Sequence, residues 1–558
     1  MAERVDMVIV NARVLTMDRS RPFAEAVAIG SGLILAVGTT SEIRALAGPG
    51  TRVIDAVGKT VLPGFIDSHV HLFQGAAALD FLALDTVREP AGLRRAVRSY
   101  ASARPDEPLI LGTGTTYGIM DGRNPTRHDI DTVLADRPVA LMAPDIHTVW
   151  ANTMALRMAG LLHGAEMPEG SSVVMGADGL ATGELLETGA MGPVLRLSRT
   201  GGRDMLGYVT GADPVPPATP AERAADKALL ARGLAHAASH GITTLHNMDG
   251  NFYQLELLDE LRAEGTLTCR VQVPFHLKNF DPLDRLEEAV EMQRRYDTDM
   301  LWSGRVKMFM DGVVESRTAL MLRPYPDAPG TTGEAVFAPD HFNEACIRAD
   351  ALGLQICVHA IGDLAVRRTL DGFAAARAAN GARDARHRVE HIEVIHPDDL
   401  PRLAALGAVA SMQPRHAAFG GWFDPPAPNT AFHPDQQPLS YPWRAVRDSG
   451  AALIFSTDWP VVPIDVLPNI QAAIAPVDLG PGWADQSQSL HDTLASYTRD
   501  NAWAEFAEAR KGQLRAGMMA DIVVLDCDLK ALEPQSIGQA KPALTICAGR
   551  ITFGEPSQ

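Results

Sequence analysis

Val61-Leu-Pro-Gly-Phe-Ile-Asp-Ser-His69-Val-His71 runs as an apolar strand into a pair of histidines spaced i, i+2. Alternate side chains of a strand share a face, so both imidazoles point the same way. Two neutral imidazoles side by side make half of a site for a divalent transition metal such as zinc. The pair gains its weight from residues far downstream.

On either side of this strand the chain changes character. Residues 1–60 read as short β-strands, among them Met7-Val-Ile-Val10 and Ala26-Val-Ala-Ile-Gly30. Residues 512–558 look alike, with Ala520-Asp-Ile-Val-Val-Leu-Asp526 and Ala543-Leu-Thr-Ile-Cys547. Neither end is long enough for a good sandwich alone, so one composite β-sandwich built from both termini is expected. Between them, over residues 61–511, helical and apolar strand patterns alternate, which signals a parallel sheet. Strands starting near Val61, Ile242, Cys269, Arg305, Leu354, Arg388, Ala408 and Ala452 are enough to close a (β/α)8 TIM barrel, an α/β fold. The first and second of these lie too far apart for a barrel loop. Residues from about 77 to 220 are therefore expected to form an inserted subdomain.

Composition narrows the function. With 558 residues the chain exceeds one ordinary core, and 46% hydrophobic and 21% charged residues describe a globular protein. A net charge of −18 argues against nucleic acid and against an anionic membrane surface as partners. The five dispersed cysteines form no C-x-x-C pattern, which suggests reduced thiols in a cytoplasm. No signal peptide or membrane-spanning stretch is read.

In a barrel of this type, chemistry sits at the C-terminal ends of the strands. Strand one ends at His69 and His71. Strand four, Arg305-Val-Lys-Met-Phe-Met-Asp311, carries Lys307 inside an apolar run. Strand five ends on His359, strand six on His391 and strand eight on Asp458. Four histidines, a lysine and an aspartate thus converge on one rim.

These motifs resemble the amidohydrolase superfamily, and within it the amidohydrolase-3 branch of YtcJ-like proteins and N-substituted formamide deformylases. The likeness covers nearly the full length, including Leu62-Pro-Gly-Phe-Ile-Asp-Ser-His-Val-His71, Val306-Lys-Met-Phe-Met-Asp-Gly312, Glu390-His-Ile-Glu393, Ser411-Met-Gln-Pro-Arg-His416 and Ser456-Thr-Asp-Trp-Pro460. The resemblance implies that His69, His71 and Asp458 bind one metal and that His359 and His391 bind a second. Two zinc ions per chain are implied, although manganese, iron and cobalt also suit His/carboxylate ligands. Lys307 would bridge them as a carbamate, because an ammonium has no lone pair. The alternative is a lysine that holds a carboxylate or substrate directly, beside a single metal. A metal-activated hydroxide then attacks the carbonyl of a small substrate, with Asp458 carrying the proton to the leaving nitrogen.

Further candidates each have a plainer alternative. His416 could donate to the carbonyl oxygen or cap the strand. Asp311 follows the lysine strand and either orients a ligand or caps a turn. Arg317 meets substrate or a nearby carboxylate. Asp145, His147 and Glu187 match motifs of the insert in these relatives, as walls of the site or as structure. Phe73, Phe419, Trp422, Phe423 and Trp459 either favour an apolar or aromatic substrate or pack the loops. His246 is read as structural. The expected reaction is hydrolysis of an N-acyl or N-formyl amide. A deaminase, or a cyclic-amide, carbamate or ester hydrolase, is the alternative, since the fold does not select among them. Lys307 weighs against deamination, and a non-catalytic scaffold should have lost ligands that are all present here. The resemblance also implies a possible homodimer.

Overall fold

The computed structural model describes residues 4–144, 146–168, 171–417 and 430–555. It divides into two compact units, Phe73–Gly233 and the chain on either side of that segment.

In the larger unit, eight parallel strands close a barrel of the TIM type. In order they are Phe65–Val70, Ile242–Asn247, Arg270–Gln272 continued at Phe275–His276, Leu301–Trp302 continued at Arg305–Phe309, Gln355–Ala360, Arg388–His391, Val409–Met412 and Ala452–Phe455. They are called strands one to eight below. Nearly every strand residue is buried, as expected where a parallel sheet is covered on both faces. Helices such as Asp363–Asn380 turn a stripe of Val366, Leu370, Phe373 and Ala376 inward. The last seam closes beyond strand eight. There the Asp458 amide donates to the His69 carbonyl at 2.8 Å and the His71 amide to the Trp459 carbonyl at 2.7 Å. Gly64 opens strand one because a Cβ there would lie 2.2 Å from Thr243 Cγ2 on strand two.

Both chain ends build two further sheets in this unit. One holds Met7–Val10, Ala26–Gly30, Leu33–Gly38 and Arg52–Asp55. In the other, Ile522–Leu525 pairs antiparallel with Thr60–Pro63, with Val523 opposite Leu62. Ile9, Val27, Ile54, Val61, Ile522 and Ile546 join one apolar core shared by the two sheets. A buried, bidentate pair, Arg270 to Asp521 at 2.7 and 3.0 Å, ties strand three to the C-terminal segment.

The unit Phe73–Gly233 carries its own six-stranded sheet, which runs from Leu82–Ala83 at one edge to Ser172–Met175 at the other. Among the described residues no helix is long and apolar enough to cross a membrane. The five cysteines form no disulfide, and all but Cys527 are buried.

Candidate metal centre

Strand register places the key side chains. Because strand eight zips along strand one through the Val70–Trp459 bridge, Asp458 stands directly beside His69 and His71. Nε2 of His69 is 3.6 Å and Nε2 of His71 is 3.4 Å from Asp458 Oδ1. One ligand atom from each of these three residues lies within 4.8 Å of the others. The backbone is bent to achieve this, with Asp458 at φ 63° and His391 at φ 76°, left-handed conformations that cost about 1–3 kcal/mol each in a non-glycine residue.

The far nitrogens of the strand-one pair are held. His69 Nδ1 donates to Glu390 Oε2 at 2.7 Å, and His71 Nδ1 donates to Asp249 Oδ1 at 2.9 Å. A carboxylate only accepts, so each Nδ1 carries a proton and each Nε2 is the nitrogen turned toward Asp458. His391 Nδ1 donates to Gln413 Oε1 at 2.9 Å, and the Gln413 amide donates to Ser456 Oγ at 2.8 Å. The His391 and His416 rings lie nearly parallel, at 8°, with centroids 6.1 Å apart.

Burial governs the charges. It pushes His69 down to about 4, against the pull of Asp458 and with a further push from Lys307, and so keeps the imidazole neutral. For His71, burial is outweighed by the carboxylates of Asp249 and Asp458, which lift it to about 9. A cation at its Nε2 competes with that proton, so loading there releases one. Burial also opposes the Asp458 carboxylate, but the surrounding His69, His71 and His391 hold it well below its ordinary range. The Lys307 amine is lowered by burial, beyond what Glu390 and Asp458 restore.

The residues fit a divalent cation. Lys307 Nζ, Asp458 Oδ1 and His416 Nε2 are buried with no hydrogen-bond partner among the described residues. Orphaned buried polar atoms in a native fold call for a ligand or ion. His, Asp and an oxygen-bearing lysine derivative are the donor set of zinc and its neighbours.

Not every expected residue joins this cluster. His359 lies beside His391, with ring centroids 4.6 Å apart, but its Nε2 donates to the Gly312 carbonyl at 2.9 Å. The second group of close ligand atoms is His391, His416 and Asp458. A ligand role for His359 would have to run through Nδ1. Arg317 does not reach outward for substrate. It pairs with Asp327, at 2.8 Å from Nε, and donates to the Val314 and Glu315 carbonyls. Phe73 is fully buried, and Trp459 is 5% exposed with its ring 5.7 Å from that of His236, so both pack instead of lining an open wall. Asp311 caps the loop, accepting from the Leu320, Ile361 and Gly362 amides. In the unit Phe73–Gly233, His147 Nδ1 meets Glu187 Oε2 at 2.8 Å. Asp145, Phe419, Trp422 and Phe423 lie outside the described residues.

Sequence reasoning missed the groups behind the ligands, Asp249, Glu390 and Gln413. Asp249 had a signal, the polar run His246-Asn-Met-Asp249 at the end of strand two, and Glu390 another in its place beside His391. Gln413 had none, because its role depends on a contact across strands.

Comparison with known proteins places the chain in a family. The model of the amidohydrolase family matches residues 52–553. Protein LONG AFTER FAR-RED 3 of Arabidopsis thaliana is 30% identical over 532 residues, covering 93% of this chain and 87% of that protein. N-substituted formamide deformylase of Arthrobacter pascens is 27% identical over 542 residues, covering 95% of this chain and 94% of that protein. The crystal structure of an uncharacterized metal-dependent hydrolase from Pyrococcus furiosus aligns with TM-score 0.70 at 26% identity, over 95% of this chain and 99% of that one. The chain belongs to the amidohydrolase family, and it is a metal-dependent hydrolase of carbon–nitrogen bonds other than peptide bonds.

Proposed function

We propose that the chain cleaves an N-acyl or N-formyl amide of a small, apolar or aromatic substrate at a two-zinc centre. His69, His71 and Asp458 would hold one ion and His391 with His359 the other, with Lys307 as a carbamate supplying oxygen ligands. The observation that carries this reading is the convergence of His69, His71 and Asp458 within 4.8 Å, next to a buried lysine amine without a partner. Formation of the carbamate needs a neutral amine, and burial among Val306, Met308 and the barrel interior favours that form of Lys307. The deformylase relative supports the amide class.

A bound divalent cation acidifies water and polarises a carbonyl. The protein supplies the rest. Asp458 is ionised at rest, so its Oδ1 can accept a proton from the attacking water and return it to the leaving nitrogen. His416, with Nε2 buried and unpartnered, can donate to the developing oxyanion. The carboxylates of Glu390 and Asp249 keep the strand-one imidazoles from turning.

The test measures amine release from a panel of N-formyl and N-acyl amines, alongside ammonia release from aminated heterocycles. Amine release with the amides supports the proposal, whereas ammonia release alone supports the deaminase alternative. Asp458→Asn should keep the fold by circular dichroism and lower kcat by about 10²–10⁴-fold. Wild-type kcat in that variant would remove Asp458 from the mechanism.

A further inference from the structure

Resting on the two-metal reading, we infer that the centre is built unequal: its strand-one half holds a cation tightly, and its strand-six half holds one weakly and exchangeably. The difference lies in what stands behind each imidazole. His69 and His71 are backed by carboxylates, Glu390 at 2.7 Å and Asp249 at 2.9 Å. A carboxylate behind an imidazole raises its basicity and adds negative charge near the ion. His391 is backed at 2.9 Å by the neutral carboxamide of Gln413. His359 gives its Nε2 proton to a neutral backbone carbonyl, that of Gly312, also at 2.9 Å.

The backing charges are not equivalent even within the first half. Arg388 holds Glu390 at 2.7 Å and 2.9 Å and so offsets part of its charge. Asp249 takes its second bond from the neutral Gln254 amide, at 3.0 Å from Oδ2. The strand-one half therefore collects three carboxylates, Asp249, Glu390 and Asp458. The strand-six half has the Asp458 that both share and Asp311, which stands 3.7 Å from His359 Nε2 but is already taken up by three backbone amides. Gln413 is thus a positioning residue that also sets the strength of its half. It is one atom type away from the group that backs the other half.

Titration of metal-free protein with cobalt(II), read by calorimetry and by the visible spectrum of the ion, tests this. Two steps are expected, the first tighter by about 10–100-fold, the range that such backing groups control. Asp249→Asn should weaken the first step by about the same factor and leave the second in place. Gln413→Glu should tighten the second step and close the gap, an effect that a merely structural role for Gln413 does not produce. Two steps of equal affinity, or a second step in Gln413→Glu no tighter than in wild type, overturn the inequality while leaving two metals per chain. A single equivalent at every cobalt concentration overturns the two-metal reading and this inference with it.

Discussion

Two buried polar clusters share the barrel interior, and they differ in how closely their charges are paired. At the rim, Lys307 Nζ, Asp458 Oδ1 and His416 Nε2 find no hydrogen-bond partner among the described residues. Deeper in, Arg388 donates to His246 Nδ1 at 3.1 Å, and His246 Nε2 donates to Glu505 Oε2 at 2.7 Å. Lys511 then meets Glu505 Oε1 at 2.7 Å and Thr244 Oγ1 at 3.0 Å. Both clusters lie largely out of solvent and both mix cations, anions and imidazoles. Burial of charge therefore does not separate a reactive site from a structural one. Close pairing does: in the deep chain the atoms that lack a hydrogen bond, Arg388 Nε and Glu505 Oε1, each face an opposite charge at 2.7 Å, whereas at the rim the nearest partner of Asp458 Oδ1 stands at 3.4 Å and that of His416 Nε2 at 3.8 Å.

The sharpest way to break this contrast is to open the closed cluster. Lys511→Met leaves Glu505 buried with half its partners, and should cost about 3–5 kcal/mol, as removal of one member of a buried ion pair does. Urea unfolding should show a lower midpoint at an unchanged slope, while metal bound at saturation stays at the wild-type level. A loss below about 1 kcal/mol, the range of surface pairs, would mean that the close Lys511–Glu505 pairing does not hold the deep chain together.

The mirror experiment fills the open cluster. Lys307→Met removes a buried amine that has no hydrogen-bond partner and keeps most of its volume. In metal-free protein it should raise stability by about 1–3 kcal/mol, the penalty of an unsatisfied buried group, while hydrolysis is lost. A destabilised Lys307→Met would show that the amine is already satisfied by Glu390, Asp458 or the Phe309 ring, which its Nζ faces at 4.7 Å.

The same contrast explains what could be read from the sequence. Strand ends were legible because apolar runs ending in His69-Val-His71, His359, His391 and Asp458 are local patterns, and barrel geometry places such ends on one rim. The family followed from the same motifs. The partners of those ligands were not legible. Glu390 reaches His69 across 321 positions of sequence, and Asp249 reaches His71 across 178, so only the closed barrel brings them together. His359 shows the same limit: its place at a strand end was legible, but the loop carbonyl of Gly312 that takes its Nε2 proton was not. His246, read as structural, is one of the links of the deep chain.

That link gives the smallest effect and the most discriminating one. Burial pushes His246 down to about 3, with Arg305 adding to the push and Glu505 opposing it. The folded chain then keeps this imidazole neutral, whereas the unfolded chain takes up a proton below its ordinary value of about 6.5. Where the unfolded state binds more protons, stability rises with pH, so it falls as pH drops from about 6.5 toward 3. One such group contributes a slope of up to about 1.4 kcal/mol per pH unit. His246→Gln can still accept from Arg388 and donate to Glu505, but it cannot titrate. Urea midpoints of wild type and His246→Gln at pH 7, 6 and 5 should therefore converge or cross as the pH falls, because only wild type carries this slope. Parallel lines would mean that the folded chain already holds a proton on His246. The deep cluster would then carry a titrating charge beside its paired ones, and close pairing would no longer separate it from the rim.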